Sequence, residues 1–425
     1  MTLAEVLMKK STHSQYAIDN ASILFLAQAR KDHTNCFRFS MTLSEDICPA
    51  SLQQAVNRVY KRFPTIFARF HFGIFQHIQI PIDTPPQVQR DPGCLITMRK
   101  KELSTCAYRV YYEENKISIE AFHALTDGYG AIASFTALVA EYLSIKYGTV
   151  FSASTALIDI AQDPQPHELE DTFLRYNQES PKRIPSRFAY QLPGGNSDRS
   201  CVRTTAHTIS ARELREASHK YGVTINTLIS AVMASSVMDV QMHYSQKNLK
   251  PVRIMVPVDL RRIFPSRTLR NFSYYILPTM EPEEACKPLS ELLKSFNAQI
   301  QTQLQKEHIG AVISNNVKLQ NAWFMRIIPL PIKCALMRLV CCFFGEPTSS
   351  VTVTNLGNVM LPEEIHAFVQ HIDATLTPRM LSPYGCTVLS YNGELTINIS
   401  RFPQHGELED VFFQKLNAIL HGDSV

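Results

Sequence analysis

Ile117-Ser118-Ile119-Glu120-Ala121-Phe122-His123-Ala124-Leu125-Thr126-Asp127-Gly128-Tyr129-Gly130 is the stretch whose reading decides the fold. Ile117, Ile119 and Ala121 alternate with Ser118, Glu120 and Phe122, the period of two of a strand. A turn follows that carries His123, Asp127 and Gly128 in the spacing H-x-x-x-D-G. From Ala131 to Tyr147, Ile132, Phe135, Leu138, Val139, Tyr142 and Leu143 recur at helical spacing. The segment therefore reads strand, tight turn, helix. A histidine at the end of a strand sits on a rigid support, and histidine is the side chain best suited to accept a proton near neutral pH.

Working outward, Phe37 to Leu43 alternates like a strand, and Pro49 opens a helix through Leu52, Ala55, Val56 and Val59. Phe67 to Phe72 alternates again. Tyr108 to Glu113 and Lys116 to Phe122 read as a hairpin turning at Glu114-Asn115. Between Gly148 and Ser200 the composition changes: Pro164, Pro166, Pro181, Pro185, Pro193, Gly194 and Gly195 lie among polar residues, which marks a linker.

Beyond it a strand is expected at Thr204 to Ile209. Ser210, with Glu213 three residues on, then caps a helix that Gly222 closes, and Thr224 caps the next. Arg253 to Val258 reads as a strand running into Asp259-Leu260-Arg261-Arg262. Pro288 opens a helix to about Gln305. Ser349 to Thr354 is a strand ending at Asn355-Leu356-Gly357. A hairpin turns at Asn392-Gly393, and a helix runs from Leu408 to His421. At 425 residues the chain is too long for one ordinary core. The expected division is 1–175, a linker 176–200, and 201–425.

Composition narrows the function classes. Hydrophobic residues make up 45% and charged residues 19%, which fits a globular enzyme. The net charge of +4 is small and the basic residues form no stripe, so nucleic acid is not an expected partner. The ten cysteines (Cys36, Cys48, Cys94, Cys106, Cys201, Cys286, Cys334, Cys341, Cys342, Cys386) form no C-x-x-C pair. They read as reduced thiols of a cytoplasmic protein.

The first ten residues do not read as a signal peptide. The apolar stretch Trp323 to Phe344 is interrupted by Arg326, Pro329, Pro331, Lys333 and Arg338. It reads as two short amphipathic helices about a proline break, with a peripheral lipid contact left open, and not as a membrane span. His71, His207, His366 and His371 show no metal-ligand spacing, so no metal is expected. Phe272, Tyr274 and Tyr275 admit two readings, core or the lining of an acyl passage.

Several separated motifs carry a resemblance. The complete H-x-x-x-D-G of His123, Asp127 and Gly128 is joined, in order, by Val56-Asn57-Arg58-Val59-Tyr60-Lys61-Arg62-Phe63-Pro64, Tyr221-Gly222-Val223-Thr224-Ile225-Asn226-Thr227-Leu228, Val256-Pro257-Val258-Asp259-Leu260-Arg261-Arg262 and Thr354-Asn355-Leu356-Gly357. A lone H-x-x-x-D-G is weak; the ordered set, spanning roughly residues 15 to 420, is specific. The chain resembles the CoA-dependent acyltransferase superfamily, which includes chloramphenicol acetyltransferase, condensation domains, plant acyltransferases and alcohol acetyltransferases. The last branch is the most similar. Phe122 stands where condensation domains often have a first of two histidines, and the plant D-F-G-W-G motif is absent.

The resemblance implies an α+β fold of two chloramphenicol acetyltransferase-like sandwich halves with an active-site tunnel between them. It implies acyl transfer from acyl-CoA, as co-substrate, to a small alcohol. No permanently bound cofactor is implied. An amine acceptor or a carrier-protein donor are the alternatives, and a silent acyl-ligand or protein-binding relative is a third. His123 would be the general base, with no covalent intermediate. The Gly128 amide would serve the oxyanion. Asp127 would be a structural anchor paired with Arg261, with Arg262 as second candidate. Asn355 and Gly357 would lie on the strand crossing between the halves. Thr354 would either offer a hydroxyl or simply form strand. With both halves in one chain, a monomer is expected.

Overall fold

The computed structural model describes residues 15–30, 33, 35–151, 154, 157–176, 188–194, 199, 201–245, 247–321, 328–340, 346–402 and 406–421. Much of the expected linker and both ends of the apolar stretch 323–344, with Cys341 and Cys342, lie outside them. The other eight cysteines are free thiols.

The expected alternation becomes three sheets. In the first lobe a five-stranded sheet has the order Val369–Leu376, Cys36–Leu43, Lys116–Phe122, Tyr108–Glu113, Gln89–Arg90. Its centre is the predicted hairpin, with Glu114 in the left-handed region at φ 47°. Two elements cover it, the helix Pro49–Val59 and the helix Gly128–Tyr147. The core they share includes Leu52, Val56, Phe63, Ile117, Ile119, Phe135, Leu138 and Tyr142. A small sheet of Tyr16–Ala17, His77–Pro81 and Ala68–Phe72 stands beside it. The helix Gly128–Tyr147 is long and apolar enough to cross a membrane by length and composition; here it is largely buried in the lobe.

The second lobe is built on a larger sheet. Its order is Ser273–Ile276, Val252–Asp259, Val351–Asn358, Tyr384–Tyr391, Glu394–Arg401, Arg203–Ser210, with Thr279–Met280 also pairing onto Val252–Asp259. The helices Ala211–Lys220, Ile225–Tyr244, Leu289–Gln303 and Glu407–His421 pack around it, and Leu228, Val232, Ile254, Phe296, Val353, Ile397 and Phe412 form the core. The capping signals act as read: Ser210 Oγ accepts from Glu213 N at 3.2 Å and Thr224 Oγ1 from Thr227 N at 3.1 Å. Asn392 and Gly393 turn their hairpin at φ 48° and 82°, the pair of positive φ values that a type I′ turn needs.

Three expectations change. The helix after the motif begins at Gly128 instead of Ala131, because the Asp127 side chain caps it. The strand expected to end at Asn355-Leu356-Gly357 continues to Asn358 through a register shift, with Gly357 at φ 76°. The strand Val369–Leu376, from the segment 201–425, belongs to the first lobe's sheet, paired antiparallel with Cys36–Leu43. Of the two helices expected around the proline break, the structure describes Leu330–Val340; the other lies outside the described residues.

The lobes are tied by side chains as well. Asn398 Nδ2 donates to Thr375 Oγ1 at 3.0 Å, and Thr387 Oγ1 donates to the Ala374 carbonyl. Thr126 Oγ1, at the motif, donates to the Leu269 carbonyl at 2.6 Å. That last contact explains Gly130. A Cβ there would overlap both the Leu269 carbonyl oxygen and Thr126 Oγ1, and the first of these is backbone that cannot swing away. Gly130→Ala should therefore lower the unfolding free energy by about 1–3 kcal/mol. Chemical denaturation checks this, and an unchanged midpoint would show that the two lobes move apart freely at this point.

Candidate active site

His123 is the first residue past the strand Lys116–Phe122. Its N–H donates to the Asn35 carbonyl at 2.8 Å, and Leu125 N closes the turn onto the Phe122 carbonyl at 2.9 Å. The imidazole is held among aromatic rings. Phe25, on the helix Asn20–Gln28, stacks on it with centroids 4.2 Å apart and planes 19° apart. Phe37 meets it edge-on at 5.0 Å. The residue is half-buried, with its Nδ1 sealed from solvent and without a hydrogen bond. Burial pushes its pKa below the ordinary histidine value, against the opposing pull of its own backbone carbonyl, Asp127, the Asn271 side chain and Asp19. The ring thus stays neutral where an ordinary histidine begins to protonate.

Asp127 points away from that chemistry. Its Oδ1 accepts from Gly130 N at 3.4 Å, capping the helix. Its Oδ2 accepts from Phe272 N and from Arg261 Nη1, both at 2.8 Å. Arg261 is spent in turn: Nη1 also reaches Asp259 Oδ1 at 2.9 Å, Nη2 donates to the Thr268 and Arg270 carbonyls at 2.8 and 2.7 Å, and its guanidinium lies 4.5 Å from the Tyr129 ring centroid. Arg262 is exposed and stands away from Asp127, beside Gly357. Of the two arginines, Arg261 makes the pair.

Gly128 is the first residue of the motif helix, so its N–H is among the first-turn amides that have no partner within the helix. Such amides carry partial positive charge suited to an oxygen anion. A Cβ on Gly128 would stand 2.8 Å from Leu356 Cδ2. The strand Val351–Asn358 therefore reaches across to the motif with Leu356 against Gly128. Around Leu356, Asn355 Oδ1 accepts from Gly357 N at 2.9 Å and holds the local bend. Thr354 and Thr352 share the other face from the core residues Val351 and Val353, and both hydroxyls are buried without partners. Unpaired buried hydroxyls are uncommon and mark a place where a bound molecule would find hydrogen bonds.

His123, Asp127, Gly128 and Arg261 thus gather at one point, with Asn355, Leu356 and Gly357 alongside. Phe272 packs in a core with Phe173, Leu260 and Phe264, and Tyr274 stacks on Tyr275 at 4.7 Å. Sequence reasoning missed Phe25, Asn271, Ser22 and Asp19. The last two carry a readable signal: Asp19 Oδ1 accepts from Ser22 N at 2.8 Å, an ordinary helix N-cap.

The Asp127–Arg261 pair lies in the interior, with side chains 7% and 6% exposed. Removing one partner of such a pair leaves the other charge uncompensated. Arg261→Ala should cost about 3–5 kcal/mol of stability, while Arg262→Ala on the surface should stay within about 0.5 kcal/mol. Equal effects in denaturant titrations would show that the pair does not clamp the lobes.

A scan of protein-family models finds no match, and a search of curated proteins finds none. Solved structures do share the fold. The trichothecene 15-O-acetyltransferase from Fusarium sporotrichioides aligns over 98% of this chain and 97% of its own, with a TM-score of 0.59 at 12% identity. The wax ester synthase/diacylglycerol acyltransferase from Marinobacter aquaeolei VT8 aligns over 96% and 99%, with 0.56 at 13%. The epimerization domain from the third module of tyrocidine synthetase B aligns over 97% of both chains, with 0.58 at 13%. This chain shares its two-lobed fold with these acyltransferases and with the synthetase epimerization domain.

Proposed function

We propose that this protein is an acyltransferase that moves an acetyl or other acyl group from an acyl-CoA thioester to the hydroxyl of a small alcohol, with His123 as general base. The observation that carries this reading is His123 itself: a ring-stacked imidazole beside a helix N-terminus whose capping carboxylate is already paired with Arg261. The acceptor oxygen loses its proton to the ring as it attacks the thioester carbonyl. The tetrahedral oxyanion takes the Gly128 amide. Collapse expels the CoA thiolate, which recovers the proton from the imidazolium. Proton transfer of this kind contributes roughly 10²–10⁴-fold in rate.

The neighbours support acyl transfer in general: two of them are acyltransferases. The alcohol, the CoA donor and the cytoplasmic setting belong to the proposal. Thr354 would offer its free hydroxyl to the bound thioester or the intermediate.

Purified protein with acetyl-CoA and a panel of alcohols should release free CoA, detected with a thiol reagent. His123→Ala should lower the rate about 10²–10⁴-fold; full turnover in that variant would sink the assigned mechanism. Running acyl-carrier thioesters and amines in parallel separates this donor and acceptor from the other acyl-transfer chemistries.

The pH dependence follows from the ring's surroundings. The base is active when deprotonated, and its pKa is depressed, so activity should be lost only as pH falls through a value below the ordinary histidine pKa of about 6.5. An acid limb of kcat/KM at or above that value would contradict the burial argument.

A further inference from the structure

Asn271 lies in a segment that the first lobe holds on both sides. Arg270 donates to the Ala17 carbonyl and stands 3.5 Å from Asp19 Oδ2, and Phe272 N is held by Asp127. Between them, Asn271 is almost wholly buried and turns its amide toward His123. We propose that Asn271 is a positioning residue that sets the tautomer of His123: its carbonyl oxygen receives the Nδ1–H, which leaves the Nε2 lone pair for the acceptor. This rests on His123 being the base.

Two buried polar atoms in this one place have no partner, His123 Nδ1 and Asn271 Oδ1. Each is what the other lacks, a donor when protonated and a carbonyl acceptor. An unmade hydrogen bond between buried groups is costly, so a small rotation that joins them is favoured.

The orientation of the amide is fixed from its far side. Asn271 Nδ2 donates to Ser22 Oγ at 3.2 Å and also faces the Asp19 carboxylate. Ser22 Oγ spends its own proton on Asp19 Oδ1 at 2.6 Å or on the Ala124 carbonyl at 2.7 Å, so toward Asn271 it can only accept. Turning the amide over would set its carbonyl against Ser22 Oγ, whose proton is already committed, and would take its NH₂ away from the Asp19 carboxyl. The NH₂ group therefore faces Ser22 and Asp19, and the carbonyl faces the histidine.

The ring cannot swing out to escape this contact, since Phe25 covers one face and Phe37 meets its edge. The helix that supplies Phe25 also supplies Ser22, with Asp19 as its cap. One helix thus orients both the plane of the base and the amide that selects its proton. The charged groups around this cluster are Asp127, Asp19 and Arg270, with Asp171 acting on Asp19. None of them offers the ring a hydrogen bond. The His123 backbone carbonyl favours the same tautomer, so the experiment must weigh it against Asn271.

Long-range nitrogen–proton NMR of the full chain with labelled histidine reads the tautomer directly at a pH where the ring is neutral, the His123 signal being the one lost in His123→Ala. Wild type should show Nδ1–H. Asn271→Ala should show a clear fraction of Nε2–H, about a tenfold lower kcat with KM little changed, and an acid limb moved to lower pH, because an acceptor for the charged ring is gone. Ser22→Ala, which only releases the amide, should move the tautomer the same way to a smaller extent, and carries the test if Asn271→Ala does not fold.

A wild type with Nε2–H, or variants with an unchanged tautomer, would overturn the proposal and assign the role to the ring's own carbonyl. Retained activity in His123→Ala would instead overturn the base reading, whatever the tautomer.

Discussion

The Asp127 carboxylate is the constraint from which the rest of the site follows. Its two oxygens do different work. Oδ1 caps the helix Gly128–Tyr147 and so decides where that helix starts and where the Gly128 amide points. Oδ2 holds the other lobe, through Phe272 N and Arg261. Arg261 passes the constraint on by taking the Thr268 and Arg270 carbonyls, which shapes the segment that brings Asn271 to the ring. Burying an ion pair yields little net stability, since desolvation offsets attraction. What this pair yields is geometry: the helix start, the lobe contact and the ring's neighbours are set by one group that can be in only one place.

Much of this was legible locally. The alternation at Ile117–Phe122, the caps at Ser210 and Thr224 and the turn at Asn392-Gly393 are short-range signals, and the chain obeys them. The pairing of Asp127 with an arginine of the other half was anticipated from resemblance, because no spacing rule links residues so far apart. The strand Val369–Leu376 was not read. Its mixed pattern of Val-Gln-His-Ile-Asp-Ala-Thr-Leu matches neither period well, and its partner lies at the opposite end of the sequence.

Glu120 shows why alternation misleads at a centre. A period of two sends Ser118 and Glu120 to water, yet both are buried. Glu120 is acceptable there because Arg38 and Arg109 each reach one of its oxygens at 2.7 Å, and Asp91 and Glu102 balance those arginines. A carboxylate this deep needs paired charge, and the arginines come from the neighbouring strands, which sequence distance hides. Phe25 and Asn271 escaped for the same reason: each is an ordinary residue made special by what packs against it.

The same geometry bears on how a histidine can serve as base without a carboxylate partner. Where an aspartate accepts the second ring proton, its charge fixes the tautomer and raises the basicity of the ring. Here the nearest motif carboxylate is committed to Arg261, and the ring lies among Phe25, Phe37 and neutral amide groups. Those surroundings do the opposite, disfavouring the charged ring. A weaker base is the result, but one that stays deprotonated to lower pH than an ordinary histidine. On the proposed reading that exchange suits a thioester, whose thiolate leaving group needs little help from a strong acid while the attacking hydroxyl needs a base free at every encounter. With no charged group hydrogen-bonded to Nδ1 to choose which nitrogen keeps the proton, that choice falls to hydrogen bonding by neutral carbonyls, and the side-chain amide facing the ring is the one that the lobe contact itself delivers.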